Sequence, residues 1–487
     1  MQQPTITFFP GKGIYSLPAG EEIVSVHATE EARAIFAGDA SVRGKAKQLQ
    51  RFYEQQNIAI EQKPVLSETR RFDFGTVEHF GTRSSAHVCA VDWGAVEDAL
   101  AQMGYHLRQR TPISDEIGRL APVYLIEGPE GVLAEGKGLD QEQAKRSTLG
   151  EAVERLAARG PSERVRAQRG TDTYQNLYRG KDWGLGTLAG PRDAFDSQIP
   201  SEWLPARNIS RDETAFLPAE LSYFEYVPET TRTRLFSLHH TMGLAAGSSR
   251  EDAALSGIFE VIERDAYWIT MRCRMNLPDI PLEAVRDLDP KVIAIVQALE
   301  KRGFKLSVKD LSLDWGVPVV HAVLVDTQGG IPAFAHGTGA SFSWATAVAR
   351  AVCESVQMYE GLSAVMNDEW KWEDVVSVAG VLGNAAYAWS DPLFRPHIEH
   401  LLAPSDQPWD GSEPAWSVPE FLADLKQRGH EVIVADLGSD YGLEVVRVFI
   451  TNTTQPDPRL ERISLRLEAW RNRLGLERGL YTDPILT

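Results

Sequence analysis

The chain has 487 residues, 43% of them hydrophobic, and a formal charge of −18. That length supports two or three domains, or one large domain with an appendage, and the acidity argues against nucleic acid, whose phosphates need clustered Lys and Arg. Three distant cysteines, Cys89, Cys273 and Cys353, offer neither a CxxC zinc pair nor a disulfide framework.

The N-terminus, MQQPTITFFPGKG, lacks a charged head followed by an apolar stretch, so no signal peptide is expected. No apolar run approaches the roughly 20 residues that span a bilayer, and a cytoplasmic protein without a membrane partner is expected. Residues 1–90 carry one predicted helix, 41–57 (SVRGKAKQLQRFYEQQN), with a basic face of Arg43, Lys45, Lys47 and Arg51. A solvated face explains it more simply than a docking surface. The region 1–90 is therefore set apart as an N-terminal unit of open role, with partner or peptide docking in view.

From residue 99 onward a pattern recurs. ALAQMGYHLRQRTPISDEIGRLAPVYLIE (99–127), ALEKRGFKLSVKDLSLDWGVPVVHAVLVD (298–326) and DLKQRGHEVIVADLGSDYGLEVVRVFIT (424–451) each read as amphipathic helix, glycine stop, strand, polar turn and second apolar strand. Leu299, Gly303, Asp310 and Gly316 align with Leu425, Gly429, Asp436 and Gly442; Leu100, Gly104 and Gly118 mark the looser copy. The spacing is too irregular for a solenoid. An α/β (α+β) fold is predicted for residues 91–487, with mixed sheets, internal duplication and packed glutamate-bearing helices. The Trp-, Asp- and Pro-rich stretch 366–417 is expected to be an insertion or long loop that shapes a substrate opening, and the closing ERGLYTDPILT to be extended.

A second repeat carries the chemistry. GKGLDQEQAKRSTLGEAVER places Ser147, Glu151 and Glu154 on one helix face, GLAAGSSREDAALSGIFEVIERDA does the same for Ser256, Glu260, Glu263 and Arg264, and GTGASFSWATAVARAVCESVQ for Arg350, Glu354 and Gln357. The opposite faces carry Leu149, Val153 and Leu156, then Leu255, Ile258 and Ile262, then Val352 and Val356. Any one such face reads most simply as solvated helix surface with side-chain pairs one turn apart. Three faces that share acids at matching offsets from a glycine turn, without the usual Lys complement, point elsewhere. Five converging carboxylates would repel one another unless cations intervened. Magnesium takes hard oxygen ligands shared with phosphate, and Arg264 and Arg350 suit bidentate phosphate contacts. The glycine turns read equally well as tight strand-to-helix connections or as room for a ligand. Ser248, Ser249 and Asp252 suit the helix start. No P-loop GxxxxGK[ST] occurs. His239, His240 and His336 show no metal-ligand spacing and read as structural.

These three segments resemble the signatures of the YcaO superfamily, and the likeness runs from about residue 91 to 487. GVPVVHAVLVD and DLGSDYGLEVVRVFI are most similar to the cyclodehydratase D component of streptolysin-type azole peptide systems. The resemblance implies an ATP-binding fold without a Walker motif, with ATP and Mg²⁺ as cofactors. It implies metal binding by Glu151, Glu154, Glu260, Glu263 and Glu354. Ser147, Asp252, Arg264, Arg350 and Gln357 match positions that contact the nucleotide or support the metal shell. It further implies a precursor peptide substrate, a separate leader-binding or E1-like partner protein, and compatibility with a homodimer. The reaction implied is ATP-dependent cyclodehydration of Cys, Ser or Thr to thiazoline or oxazoline, the bacteriocin-type chemistry of ribosomally made, modified peptides. Met242 stands where relatives often carry Asn and Ser248 where some do, and the closing Asp483-Pro484-Ile485-Leu486-Thr487 is not the proline-rich tail usual in azoline formers. Thioamide or amidine formation, and a non-catalytic accessory role, therefore stand as alternatives.

Overall fold

Three glycine-bearing strands organise the molecule, because each lies at the edge of a sheet and leads directly into a glutamate helix. The computed structural model describes residues 5–9, 13–17, 69, 71–74, 91–129, 131–159, 169–178, 200–223, 241–367, 388–438, 441–454, 463–476 and 480–481. Near the N-terminus, β1 (Thr5–Phe9) and β2 (Gly13–Leu17) pair as an antiparallel hairpin. The expected helix 41–57 lies outside the described residues, as do His239 and His240.

The first module comprises α1 (Trp93–Gln102), β3 (His106–Gln109), β4 (Val123–Gly128), β5 (Gly131–Lys137) and α2 (Gln141–Ala158). There follow β6 (Gly170–Thr173), β7 (Pro200–Asn208), β8 (Glu213–Pro218), β9 (Leu244–Gly247) and α3 (Arg250–Cys273). The second module comprises α4 (Pro290–Glu300), β10 (Phe304–Asp310), β11 (Val319–Asp326), β12 (Phe334–Ala340) and α5 (Trp344–Asn367). After α6 (Arg395–Leu402) come α7 (Val418–Gln427), β13 (Val432–Asp436), β14 (Glu444–Ile450) and α8 (Leu465–Arg473). Side-chain caps start the first two glutamate helices: Asp140 accepts from the Gln143 N–H at 2.8 Å and Ser249 from the Asp252 N–H at 3.1 Å.

The strands form sheets β3-β4-β5, β10-β11-β12 and β6-β7-β13-β14-β9, with β8 added on β7. Every pairing among the described residues is antiparallel, which narrows the expected mixed sheets to antiparallel ones. The two sequence repeats are halves of one unit. Its first two copies are continuous, α1 to α2 and α4 to α5. The third is assembled across space: α7, β13 and β14 continue through the β14–β9 pairing, with Arg447 opposite Leu244, into the earlier segment β9–α3. The three units also interlock in a ring. Helix α2 packs on its own β5 and on β9 of the third unit, α3 on β9 and on β12 of the second, and α5 on β12 and on β5 of the first.

Glycine makes this packing possible. A Cβ at Gly136 would stand 2.2 Å from the Thr148 amide nitrogen, at Gly337 2.3 Å from the Ala351 carbonyl oxygen, and at Gly247 2.5 Å from the Ala253 amide nitrogen. No side chain fits at such separations, so the strand backbones rest on the helix backbones. Of the two readings left open for the glycine turns, close packing is the one these distances support.

Helix α3 is central. Between Ala253 and Cys273 only Ser256, Glu260 and Arg264 keep partial exposure; the rest is buried. The expected two-faced helix is instead covered all round, apart from one line of residues four apart. Its buried Asp265 accepts from Trp315 Nε1 at 2.9 Å, Thr454 N–H at 2.7 Å and Arg466 Nε at 2.7 Å. Three partners that satisfy a buried charge tie α3 to the segment after β14 and to α8, and Arg466 also stacks over Trp315 and pairs with Asp314. Of the stretch 366–417, the described part from 388 onward packs inward: Trp389, Ile398 and Leu401 join the main core. Its helix α6 packs on β10 of the second module, and residues 368–387 lie outside the described residues.

Candidate active site

The accessible line along α3 faces matching lines on its two neighbours. On α2, Ser147 is exposed and Glu151 and Glu154 are partly exposed; on α5, Arg350 is exposed and Glu354 and Gln357 are partly exposed. Glu354 is held by Lys137, the last residue of β5, with Nζ to Oε2 at 2.7 Å, and lies 3.9 Å from the guanidinium of Arg264. Glu263 accepts from the buried Thr338 hydroxyl of β12 at 2.5 Å. Glu260 accepts from the Gly243 N–H at 3.1 Å, and Glu151 pairs with Arg155 at 2.8 Å.

The acids perturb one another as members of one cluster. Burial pushes Glu260 up to about 7, aided by Glu263 and opposed by Arg264, Arg447 and the Gly243 N–H. Glu154 is pushed well above the carboxylate range by burial, then by Glu260 and Glu151, against Arg155 and Arg447. Burial also acts upward on Glu354, but Lys137 and Arg264 overcome it and hold that carboxyl below its ordinary value. Burial lowers Arg447 to about 10, against the pull of Glu260 and Glu154. One acid-bearing helix from each unit thus contributes to a single electrostatic site.

Five carboxylates face four cations here: Lys137, Arg155, Arg264 and Arg447. Among the described residues no three acidic, His or Cys side chains are grouped closely enough to ligate a metal by themselves. Magnesium does not need such a cage, since it keeps waters and shares one or two protein carboxylates with phosphate oxygens. Burial and neighbouring acids press Glu154 and Glu260 toward the neutral form, and a divalent cation on their hard oxygens would relieve that pressure.

Residues 135–453 match the family model described as YcaO cyclodehydratase, ATP- and Mg²⁺-binding. The chain belongs to the YcaO family. It is an enzyme of this cyclodehydratase family, whose cofactors are ATP and Mg²⁺. An uncharacterised protein of Methanothermobacter thermautotrophicus is 29% identical over 343 residues, 69% of this chain and 85% of that one. The fold is similar to a heterocyclase solved in complex with substrate and cofactor, at a TM-score of 0.62 and 22% identity, covering 78% of this chain and 55% of the heterocyclase. It is also similar to the YcaO protein of Methanopyrus kandleri bound with AMPPCP and Mg²⁺, at a TM-score of 0.55 and 22% identity, covering 76% of this chain and 92% of that one. The chain thus spans about half the length of the first structure and nearly all of the second.

Within this YcaO site the five expected glutamates, together with Arg264, meet. Ser147 and Arg350 stand one turn before Glu151 and Glu354, at the exposed end of each line. Asp252 is engaged by the Ser248 hydroxyl and lies eight residues, about 12 Å along α3, from Glu260, at the far end of the same line. Lys137, Arg447 and Thr338 lie on strands, outside the helical glutamate pattern that marks the site in the sequence. Arg447 left a signal: it is the one charge in the apolar run VVRVFI, and a buried strand does not carry a charge without partners. His336 fits its structural reading, held between Tyr267 and His321 at 3.3 and 3.1 Å in the core. Cys273 and Cys353 are buried thiols.

Among the described residues, no helix is long and apolar enough to cross a membrane.

Proposed function

We propose that this enzyme is an ATP- and Mg-dependent peptide-backbone cyclodehydratase that forms thiazoline or oxazoline rings from Cys, Ser or Thr of a ribosomal precursor peptide. The observation that carries the reading is that Glu154, Glu260 and Glu354, one from each interlocked unit, belong to one partly exposed cluster of acids and cations linked through Glu260 and Arg264. Glu151, Glu154, Glu260, Glu263 and Glu354 are the residues that would hold magnesium, which when bound supplies charge neutralisation and orientation of the phosphates. Arg264, Arg350, Gln357 and Ser147 serve the phosphate end, and Asp252, two turns away along α3, the nucleoside end.

In the reaction, the substrate thiol or hydroxyl gives up its proton to solvent and adds to the preceding backbone carbonyl carbon, forming a C–S or C–O bond as the C=O π bond opens onto oxygen. The resulting oxyanion attacks the γ-phosphorus of ATP, and ADP leaves. The amide nitrogen then expels phosphate as its N–H proton is lost, and the ring C=N bond forms. The net change is loss of one water from the peptide. No side chain of the enzyme becomes covalently attached; its residues position the reacting groups and offset developing charge.

Residues 91–487 form the catalytic body in this reading, and 1–90 a docking region for the peptide or a separate leader-binding, E1-like partner. A cytoplasmic homodimer is the assembly to test by light scattering. Co-expression with a precursor peptide and its partner, followed by mass spectrometry, tests the chemistry. Loss of one water per ring supports cyclodehydration. Exchange of oxygen for sulfur would assign thioamide formation instead, and an unaltered peptide would leave an accessory role.

A further inference from the structure

Glu354 is neutralised by the chain's own cations, and one of them is placed to leave. Lys137 donates to Oε2 at 2.7 Å, with its side chain 26% exposed against 13% for Glu354. The ammonium therefore sits on the solvent side of the pair. Its backbone is fixed by the pairing of Lys137 with Val123, while its four-carbon stem can rotate. Glu354 is the one carboxylate within ion-pair distance of Lys137 among the described residues. Glu135, two residues earlier on the same face of β5, is held by Arg110, and behind them Glu360 accepts from the Ile113 N–H at 3.0 Å. Lys137 thus has no second acid to fall back on. Arg264, by contrast, is anchored among Glu260, Glu263 and Glu354.

A divalent cation cannot settle on an oxygen that already has an ammonium at 2.7 Å without strong repulsion. A half-buried lysine displaced from its carboxylate needs a new acceptor, and a nucleotide phosphate is the acceptor that arrives together with magnesium. We infer that Lys137 is an exchangeable cation. It neutralises Glu354 in the nucleotide-free enzyme and transfers to the nucleotide phosphates when the metal takes that carboxylate. The inference rests on the ATP-binding reading of this site.

The test uses the full chain and two ligands measured separately: Mn²⁺ alone, followed by electron paramagnetic resonance, and Mg-AMPPCP, followed by calorimetry. Lys137→Met is expected to bind Mn²⁺ about tenfold tighter without nucleotide and Mg-AMPPCP about tenfold more weakly, the size of one charge-assisted contact. Lys137→Arg keeps nucleotide affinity near wild type. In a Glu354→Gln background, the effect of Lys137→Met on Mn²⁺ affinity disappears. Lys137→Gln replaces Lys137→Met if circular dichroism shows the latter unfolded. If both affinities are unchanged, or both fall together as in a purely structural role, the inference is overturned. If the wild-type protein binds no Mg-AMPPCP, the ATP-binding reading itself falls, and the inference with it.

Discussion

Replacing Gly337 by Ala probes how the fold holds the site together. The added Cβ would stand 2.3 Å from the Ala351 carbonyl oxygen, 2.4 Å from the Ser355 amide nitrogen and 2.6 Å from Glu354 Cβ. Two of these are backbone atoms, which cannot rotate aside. To restore ordinary contact, α5 must retreat from β12 by about 1 Å. Overpacking of this kind costs roughly 1–3 kcal/mol. The same displacement carries Glu354 away from Lys137 and Arg264, and misplacement of about 1 Å at a reacting centre can lower turnover on the order of 100-fold. Thermal unfolding and Mg-dependent ATP turnover would be measured side by side. Gly361→Ala is the control on the same helix, because its Cβ would meet nothing nearer than Glu135 Oε2 at 3.8 Å. It should stabilise by about 0.5–1 kcal/mol through helix propensity, with turnover retained. If Gly337→Ala kept both wild-type stability and wild-type turnover, the claim that glycine-mediated contact positions Glu354 would be refuted.

Other consequences can be checked independently. Glu154 and Glu260 are pushed upward in the fold, so their neutral forms stabilise it. That contribution is complete below the ordinary carboxylate value and is lost as pH rises through about 7, where Glu260 ionises. Metal-free protein should therefore lose melting temperature between about pH 5 and 8, and added Mg²⁺ should offset much of the loss at the upper end; a flat profile in EDTA would contradict this. Asp265→Ala leaves Arg466 and Trp315 without their buried acceptor. It should cost about 3–5 kcal/mol in urea unfolding, whereas a loss below about 1 kcal/mol would show the network to be unimportant. Arg447→Met removes the buried guanidinium that offsets Glu154 and Glu260. The prediction is a lower melting temperature in EDTA that Mg-ATP largely restores, and equal losses with and without Mg-ATP would count against it.

The sequence made the helices legible and left the strands' contributions hidden, for a physical reason. Glutamates at a fixed offset from glycine turns stand out on helices because the 3.6-residue period separates polar from apolar faces. The partners of those glutamates do not repeat. Lys137 ends β5, Thr338 lies within β12, and Arg447 comes from β14, which belongs to a unit whose other half, β9–α3, precedes it by almost 200 residues. Antiparallel pairing of β14 with β9 is a tertiary event with no local signature, so the third unit looked like a fragment of two different repeats. Helix α3 misled in another way. Leu255, Ile258 and Ile262 suggest one buried face, but sheets on both sides also cover Asp265, Thr270 and Arg272; distant segments reach Asp265 through Trp315, Thr454 and Arg466, and Arg272 donates to the Tyr481 carbonyl. The Trp-, Asp- and Pro-rich composition of 366–417 suggests an insertion or long loop, yet Trp389 within it supplies core volume.

The most direct test of the account is calorimetric titration of Mg-AMPPCP into wild type and into Glu154→Gln, Glu260→Gln and Glu354→Gln, one neutral isostere on each acid-bearing helix. If the three helices build one magnesium–nucleotide site, all three variants should stay folded, lose nucleotide binding and lose ATP turnover. If any one of them, properly folded, bound the nucleotide with wild-type affinity, its helix would not belong to the site, and the three-helix account would be wrong.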